Sequence, residues 1–348
     1  MIRVLLAAVC LVLFAATLQA GGLDDLKAAN AAAEQGKADD AIRLFTQALA
    51  ASDLSPADQF AARKGRGNEY TGKSLIADAF ERLDQARGLR ADAIADFTAA
   101  LDSKTDDASV YIARAQVYDL NGQYDSAITD FDAALKLNNS PVTLVQRAGS
   151  QSAKGDYDRA VADYTAALAI VTKDAKDPKD PKDPKDGDLN TSDIYSQRGY
   201  VQFIAARYAA AAADFDKALT LGSAVRSGDV LWLPYQAAWL HIARARAGEN
   251  DAEELARNAG KIDLKQWPGT LVAFFLGQVK PDQMTPPSNH GAMGHARECN
   301  LTFFTGEQAL VKGNSAEATP LFLRAREVCN IHTLHYLAAS VELKRLGK

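Results

Sequence analysis

One short arrangement of apolar and small residues recurs along the chain. Residues 122–135, GQYDSAITDFDAAL, have an alanine at position 127, an aromatic residue four positions later and an alanine three positions after that. Spacings of i, i+4 and i+7 place these side chains on one face of an α-helix and leave the polar residues on the other. The arrangement, led by glycine or alanine, occurs six times: Gly36, Ala41, Phe45, Ala48; Gly88, Ala93, Phe97, Ala100; Gly122, Ala127, Phe131, Ala134; Gly155, Ala160, Tyr164, Ala167; Ala206, Ala211, Phe215, Ala218; and Gly313, Ala318, Phe322, Ala325.

The interval between copies indicates a helical-repeat fold. The first alanines at positions 93, 127 and 160 are 34 and 33 residues apart, which is the period of the tetratricopeptide helical hairpin. A second amphipathic run precedes the copies, as in YIARAQVYDL (111–120), and the leading glycine favours the turn between the two helices. The sequence therefore predicts an all-α fold, a tetratricopeptide helical-hairpin solenoid with a concave inner surface.

Two intervals between copies exceed one period. The first alanines of the first two copies are 52 residues apart, and the surplus segment 71–87 has a helical pattern, so we expect elongated helices there. A later interval of 51 residues contains DAKDPKDPKDPKDGD (174–188). Recurrent proline excludes helix from that segment and predicts an exposed, semi-extended insertion, with a partner-binding role as the alternative.

Four copies of the repeat contain a pair of opposite charges. An arginine in the first helix accompanies an aspartate directly before the aromatic residue of the second helix, and the first and last copies lack both. Counting back from the turn places the two residues at the same level, so we expect partly buried, hydrogen-bonded pairs with a structural role. A row of guanidinium groups that binds an acidic ligand is the alternative. The pairs are Arg66 with Asp96, Arg114 with Asp130, Arg147 with Asp163, and Arg198 with Asp214.

The first twenty residues have the pattern of a secretory signal peptide. Arg3 precedes an apolar run over residues 4–18, and Ala20 is a small residue of the kind found at cleavage sites. The run is short for a membrane span of about 20 residues, and an uncleaved anchor is the alternative. Cys10 lies inside the run and not after it, which argues against a lipid anchor. The sequence therefore predicts a periplasmic or secreted protein.

These patterns divide the chain into five segments. After residue 221 the recurring arrangement lapses for about a hundred residues and returns only in the last hairpin. The segments are the signal peptide 1–20, repeats one to four at 23–172, a low-complexity Lys-Asp-Pro linker at 173–190, a fifth repeat with an atypical helical hairpin at 191–260, and a C-terminal helical region at 261–348 with the last repeat and a capping helix.

The two cysteines beyond the signal peptide are placed to meet. Cys299 opens the first helix of the last repeat, and Cys329 closes its second helix. Their midpoint falls at the turn, Gly313 and Asn314, so antiparallel helices bring both sulfur atoms to one end. Because exported thiols oxidise when geometry allows, we expect a disulfide, with two free buried thiols as the alternative.

The C-terminal region also carries a family resemblance. Trp267-Pro268, LVAFFLG (271–277), CNLTFFTGEQALVKGNSAEATPLFLRA (299–325) and VELKRLG (341–347) resemble, in this order, the C-terminal half of NlpI-type bacterial tetratricopeptide lipoproteins. The resemblance implies a non-catalytic envelope adaptor that brings a processing peptidase together with cell-wall hydrolases. The lipidated cysteine of that family has no counterpart here, which separates this chain from its membrane-tethered members.

Composition and side-chain chemistry point away from catalysis and nucleic-acid binding. The net charge is -5, with 39 basic and 44 acidic residues and no basic cluster, which argues against a nucleic-acid partner. No serine or cysteine has the surroundings of a nucleophile, so we expect neither an enzyme nor a cofactor. Zinc bound by C-terminal histidines is the alternative, and these are His290, His295, His332 and His335.

A partner would contact the groove formed by the first helices. Lys64 and Asn68 resemble the start of the carboxylate-gripping arrangement of chaperone-binding tetratricopeptide proteins. Ala113 and Gln146 stand where its further basic groups would be. Four more candidates on first helices are Gln116, Asp119, Tyr200 and Phe203, and the rings of the last two have a core position as the alternative.

The function that the sequence favours is a scaffold that binds a protein or peptide partner in the bacterial periplasm. A metal- or small-ligand-binding envelope protein that uses the C-terminal histidines and cysteines is one alternative. A peptidoglycan-active enzyme is another. Both a monomer and a homodimer are compatible with the pattern.

Overall fold

The computed structural model of the chain describes residues 21–104, 106–174, 189–225, 232–284, 291–331 and 333–348. These residues form helices and turns with no strand, so the predicted all-α fold is confirmed. The predicted signal peptide, nearly all of the proline-rich insertion, and His290 and His332 lie outside the described residues. Within the described ranges, every helix is too short or too polar to span a bilayer.

The chain divides into two compact units, Met1–Gly122 and Gln123–Lys348, and each is described by itself. The helices of the first unit are α1 (Gly22–Glu34), α2 (Ala38–Ala50), α3 (Pro56–Ala79), α4 (Leu83–Ser103) and α5 (Ala108–Leu120). Those of the second unit are α6 (Tyr124–Leu137), α7 (Pro141–Lys154), α8 (Tyr157–Asp174), α9 (Thr191–Ile204), α10 (Tyr208–Val225), α11 (Trp232–Arg246), α12 (Ala252–Ala259), α13 (Gly269–Phe275), α14 (Pro281–Met284), α15 (Gly291–Val311), α16 (Ser315–Val328) and α17 (Leu334–Arg345).

The recurring apolar arrangement forms the core of the hairpins. All six of its aromatic side chains are buried, at 0 to 3% exposure, and the alanines on either side of each ring are fully buried. Burial of one such ring contributes about 1.5–3 kcal/mol, so the repeated face drives each second helix against its neighbours.

A glycine on the first helix lets the ring of the second helix approach closely. A Cβ atom at Gly67 of α3 would stand 2.7 Å from Cε1 of Phe97, and one at Gly306 of α15 would stand 2.8 Å from Cε1 of Phe322. Real Cβ atoms essentially never come this near, so these positions require glycine. These glycines were not predicted from the sequence.

The hairpin of α3 and α4 is elongated, as predicted. Its helices have 24 and 21 residues, whereas α1, α2 and α5 have 13 each. The turn, however, is not at Gly88, which is exposed inside α4. It lies at residues 80–82, where Glu81 has φ of 58°. Ala77 and Ala86 are buried. The two helices therefore remain packed on the N-terminal side of Gly88, and the turn lies six to eight residues before it in the chain.

Residues in the left-handed conformation close three hairpins of the second unit. Gly155 between α7 and α8 has φ of 92°, and Gly313 between α15 and α16 has φ of 73°. Ala206 occupies the equivalent position between α9 and α10 with φ of 59°. A non-glycine residue adopts this conformation at a cost of about 1 kcal/mol, which the packed helices on either side offset.

Helix α11 fills the interior of the second unit where the recurring arrangement lapses. Its Trp239 is 2% exposed. Six rings surround that indole with centroids 5.1 to 5.9 Å away: Tyr200, Phe203, Phe215, Phe303, Phe304 and His335. These rings come from α9, α10, α15 and α17, so one tryptophan joins elements that are distant in sequence.

A disulfide joins the ends of the last hairpin. The sulfur atoms of Cys299 in α15 and Cys329 at the end of α16 are 2.06 Å apart, and the two Cα atoms are 4.8 Å apart. Both residues are buried. The bond closes a loop of 30 residues, which restricts the unfolded chain.

Candidate partner-binding surface

In three of the four arginine–aspartate pairs, both residues belong to the same unit. In each of these pairs the carboxylate accepts two hydrogen bonds from the arginine. In α3 and α4, Nε of Arg66 donates to Oδ2 of Asp96 at 2.7 Å, and Nη2 donates to Oδ1 at 2.8 Å. The other two pairs, Arg147 with Asp163 and Arg198 with Asp214, have the same geometry at 2.7 to 2.8 Å. Such two-pronged pairing is the strongest form of arginine–carboxylate hydrogen bonding.

The remaining predicted pair has one residue in each unit, so its two members are described separately. In the first unit, Nη1 of Arg114 donates to Oγ1 of Thr98 at 2.9 Å. In the second unit, Asp130 of α6 is 4% exposed.

Each arginine also donates a hydrogen bond to the second helix of the preceding hairpin, a contact that was not predicted from the sequence. Nη1 donates to the residue that follows the aromatic residue there: Arg66 to Thr46 and Arg198 to Thr165, both at 2.9 Å, and Arg147 to Asp132 at 2.5 Å. The sequence contains the acceptors in a recognisable position, because a threonine directly follows the aromatic residue in the runs DFT (96–98) and DYT (163–165). One guanidinium group thereby connects two helices of its own hairpin and one helix of the hairpin before.

These guanidinium groups are already engaged inside the protein. The hydrogen bond to Asp96 raises the pKa of Arg66, and this effect exceeds the opposite effect of burial. The same balance raises the pKa of Arg147 and of Arg198. A ligand would have to compete with buried aspartates for these donors, which disfavours the hypothesis of a guanidinium row that binds an acidic ligand.

The first helices of unit 1 form a surface that we name the first-helix face. It consists of α1, α3 and α5, because α3 contacts both of the others. On it, Nζ of Lys64 donates to Oγ of Ser109 at 2.6 Å and to Oδ2 of Asp107 at 3.3 Å. Lys64 thus positions the start of α5 against α3 and is not a free cation for a partner. Asn68 and Gln116 are exposed, and Asp119 is half-buried.

Asp107 is the capping residue of α5. Its Oδ1 accepts a hydrogen bond from the backbone amide of Ser109 at 2.9 Å. Burial alone would raise the pKa of Asp107, but hydrogen bonds from Ser109 and the charge of Lys64 together lower it. The carboxylate therefore remains charged and holds both groups.

Of the two aromatic candidates, Phe203 lies in the core, which was the alternative to a groove position, and Tyr200 is half-buried. Phe203 is 1% exposed and packs edge-on against Trp239. The ring of Tyr200 lies 5.2 Å from that of Phe215, and its hydroxyl accepts a hydrogen bond from Nε2 of Gln236 at 2.9 Å. The reason is α11, which packs on this side of α9 and α10, so that the aromatic side chains there face the interior of the unit.

The described histidines do not come together. His295 is exposed, and the ring of His335 packs 5.1 Å from that of Phe303. Burial lowers the pKa of His335 to about 4. Among the residues that the structure describes, no three histidine, cysteine, aspartate or glutamate side chains are grouped so as to hold a metal ion.

The second unit also contains a buried charge network. Glu307 of α15 is fully buried and accepts a hydrogen bond from Nη1 of Arg246 at 2.5 Å. Nη2 of the same arginine lies 3.2 Å from Oε2 of Glu342 in α17. Burial raises the pKa of Glu307, although Arg246 acts in the opposite direction. The network ties α11, α15 and α17 together.

The hairpins define a helical repeat protein, and comparison with known proteins identifies the type of repeat. The tetratricopeptide repeat model matches residues 108–141. A tetratricopeptide repeat protein from Parabacteroides merdae is similar with a TM-score of 0.50 and 12% identity, over 92% of this chain and 98% of that one. The apo form of RapI is similar with a TM-score of 0.50 and 13% identity, over 88% and 97%. At these identities the similarity concerns the fold alone. Residues 108–141 thus match a tetratricopeptide repeat, and the fold of the chain is that of a tetratricopeptide repeat protein.

Proposed function

We propose that this protein is a non-catalytic scaffold that holds a protein or peptide partner on the first-helix face of unit 1. One observation carries the proposal: the arginines of the repeat are engaged inside the hairpins, while Asn68 and Gln116 expose their amide groups on α3 and α5. A carboxamide both donates and accepts hydrogen bonds, so it suits the backbone of an extended peptide.

The cellular setting is part of the same proposal. The signal-peptide pattern of residues 1–20 supports export, and a disulfide between Cys299 and Cys329 suits an oxidising compartment. The resemblance to NlpI-type proteins supports a role in linking a peptidase to cell-wall enzymes. We therefore propose the bacterial periplasm as the location.

Site-specific photo-crosslinking tests the proposed surface. A photoreactive amino acid is placed at Asn68 or Gln116 in the exported protein, and at Gln47 as a matched control. Gln47 is also an exposed glutamine of unit 1, but it lies on the second helix α2. We expect Asn68 and Gln116 to capture one and the same protein and Gln47 to capture none. The double variant Asn68→Arg/Gln116→Arg should lower binding of that protein at least tenfold, since it places bulk and charge on the contact surface.

Two outcomes would contradict the proposal. Equal capture from Gln47 would show that the first-helix face is not the contact surface. Release of fragments from isolated peptidoglycan by the purified protein would show that it is an enzyme and not a passive scaffold.

A further inference from the structure

The end of the elongated hairpin carries a cluster of exposed apolar side chains. We name residues 73–85, which join α3 and α4, the hairpin tip. Four large apolar residues of this segment are from half to two thirds exposed: Leu75 at 49%, Ile76 at 56%, Phe80 at 66% and Leu83 at 63%. The extra length of α3 and α4 brings these four residues into one short segment, and a concentration of exposed large apolar side chains on a folded protein marks a site of interaction.

A concave site lies directly beside this cluster. It has a volume of about 440 Å³ and lies between the turn that precedes α2 and the hairpin tip. Ile76 and Ala77 line it on the tip side together with Lys73 and Arg82. A cavity of about 150 Å³ is enough to hold a benzene molecule, so this one has room for an aromatic side chain. Lys73 is paired with Asp39, and the guanidinium group of Arg82 lies 5.1 Å from the centroid of the Phe80 ring of the same chain, so this wall already contains a cation that stacks on a ring.

The tip therefore presents a projecting ring and a concavity of matching size on the same end of the hairpin. Phe80 follows Ile76, which lines the concavity, by four residues. A two-fold dimer needs this combination, because in such an interface the same patch of both copies must supply both the group that inserts and the site that receives it.

The charges of the tip also favour a second copy over a lipid surface. The basic residues Lys73 and Arg82 are interspersed with the acidic residues Asp78, Glu81 and Asp84. Within the chain, Lys73 is paired with Asp39, Asp78 with Arg90 and Asp84 with Arg87. The tip is therefore not a strongly one-signed patch, which would repel a second copy. Anionic lipids attract clusters of lysine and arginine, and the three carboxylates at the tip oppose that attraction.

The area is adequate for a dimer. A fully exposed large apolar side chain presents on the order of 150–200 Å², so the four residues at half to two thirds exposure present on the order of 400 Å² per copy. A stable interface buries about 800 Å² per partner, of which somewhat more than half is apolar. The apolar cluster supplies that half, and the polar rim of the concavity supplies the remainder.

We propose that the hairpin tip is the interface of a homodimer, in which Phe80 of each copy inserts into the concave site of the other. This inference is independent of the proposed partner on the first-helix face. The interface uses the hairpin tip and the turn that precedes α2, and it does not include Asn68 or Gln116.

Analytical ultracentrifugation of the full exported chain tests the dimer. We expect the native protein to be a dimer and Phe80→Asp to raise the dissociation constant at least 100-fold, because each of two buried rings is worth tenfold or more. Ile331→Asp is the matched control, since Ile331 is 65% exposed outside the tip, and it should leave association unchanged. Gln85→Trp fills the concavity while it keeps Phe80, and it should also weaken the dimer. Circular dichroism should show that the variants are folded, because the mutated side chains are exposed.

A monomeric native protein would overturn the proposal, as would a dimer that persists in Phe80→Asp. A monomer that floats with anionic lipid vesicles and loses this property in Phe80→Asp would assign the tip to a membrane surface instead. A dimer weakened by Phe80→Asp but not by Gln85→Trp would remove the concave site from the interface.

Discussion

The ring of Phe215 lies so close to Gly199 that a Cβ atom at position 199 would stand 2.8 Å from Cε1 of the ring. The glycine belongs to the first helix of a hairpin and the ring to the second, so the absence of one methyl group sets the distance between the two helices. We expect Gly199→Ala to lower the free energy of unfolding by about 1–3 kcal/mol, because the ring must move out of a close-packed core.

Gly149 provides the matched control for that substitution. It also lies inside a first helix, α7, but nothing lies within 4 Å of the position of its absent Cβ atom. Gly149→Ala should therefore raise stability by about 0.5–1 kcal/mol through helix propensity alone. Urea unfolding of both variants measures the two effects, and equal effects of the same sign would contradict the packing argument.

The arginine–aspartate pairs should contribute to stability through burial. Asp214 is 4% exposed and accepts hydrogen bonds from Arg198 and from Nε2 of Gln202. Asp214→Ala leaves these donors without their acceptor, so we expect a loss of about 3 kcal/mol, at the low end for a buried pair because the side chain of Arg198 is 18% exposed.

An aspartate in an exposed ion pair provides the control, because its substitution removes an aspartate without breaking a buried pair. Asp158 pairs with Arg207, and its side chain is 80% exposed. Asp158→Ala should cost about 0.5 kcal/mol or less. If chemical denaturation gives the same small value for Asp214→Ala, then the buried pairs have no structural role and a ligand for the guanidinium groups becomes the better hypothesis.

His335 should make the protein sensitive to acid. Burial lowers its pKa from 6.5 to about 4 in the folded state. Between these two values the unfolded chain binds a proton that the folded protein does not, so stability is fully present above about pH 6.5 and falls as the pH falls towards 4. The difference corresponds to at most about 3 kcal/mol.

The substitution His335→Phe tests this prediction. Phenylalanine keeps a ring among Trp239, Phe303 and Phe304 but cannot take up a proton. The stability of the variant relative to the native protein should therefore rise as the pH is lowered from 6.5 to 4, and thermal unfolding across that range measures it. His295→Phe, at an exposed position, should leave the pH profile as it is. A constant difference between His335→Phe and the native protein would contradict the assignment.

Reduction of the disulfide should weaken the last hairpin. Cys299 and Cys329 are 30 residues apart in the sequence, and a closed loop of that length stabilises the folded state by about 3–4 kcal/mol in the chain-entropy model. We expect a reducing agent to lower the unfolding temperature of the native protein. It should have no effect on the double variant Cys299→Ser/Cys329→Ser, and an equal effect on both proteins would exclude the disulfide as its cause.

Local patterns predicted the helices well because their causes are local. The spacing of Ala127, Phe131 and Ala134 defines one helical face whatever surrounds it, and segment 71–87 lengthens α3 and α4 as its pattern indicates, apart from the turn at 80–82. The position of the turn was not predictable in the same way. Glu81 and not Gly88 adopts the left-handed conformation, since helix packing on both sides of the turn outweighs the conformational preference of glycine.

The candidate surface residues show where sequence reasoning ended. Asn68 and Gln116 are exposed as expected, but Lys64 is engaged with Asp107 and Ser109. Phe203 is in the core because α11, some thirty residues later in the chain, covers it. A helical pattern defines faces, but it does not say which later element will pack on each one.

The sequence by itself determined that the chain forms repeated pairs of amphipathic helices, because a period of 3.6 residues within helices and of 33 or 34 residues between them needs no knowledge of the fold. Tertiary structure alone decided which faces remain open. The first-helix face keeps its amides in solvent, the tip of α3 and α4 keeps Phe80 in solvent, and Trp239 closes the interior of the second unit. Burial depends on contacts between distant parts of the chain, and those contacts exist only once the helices have packed.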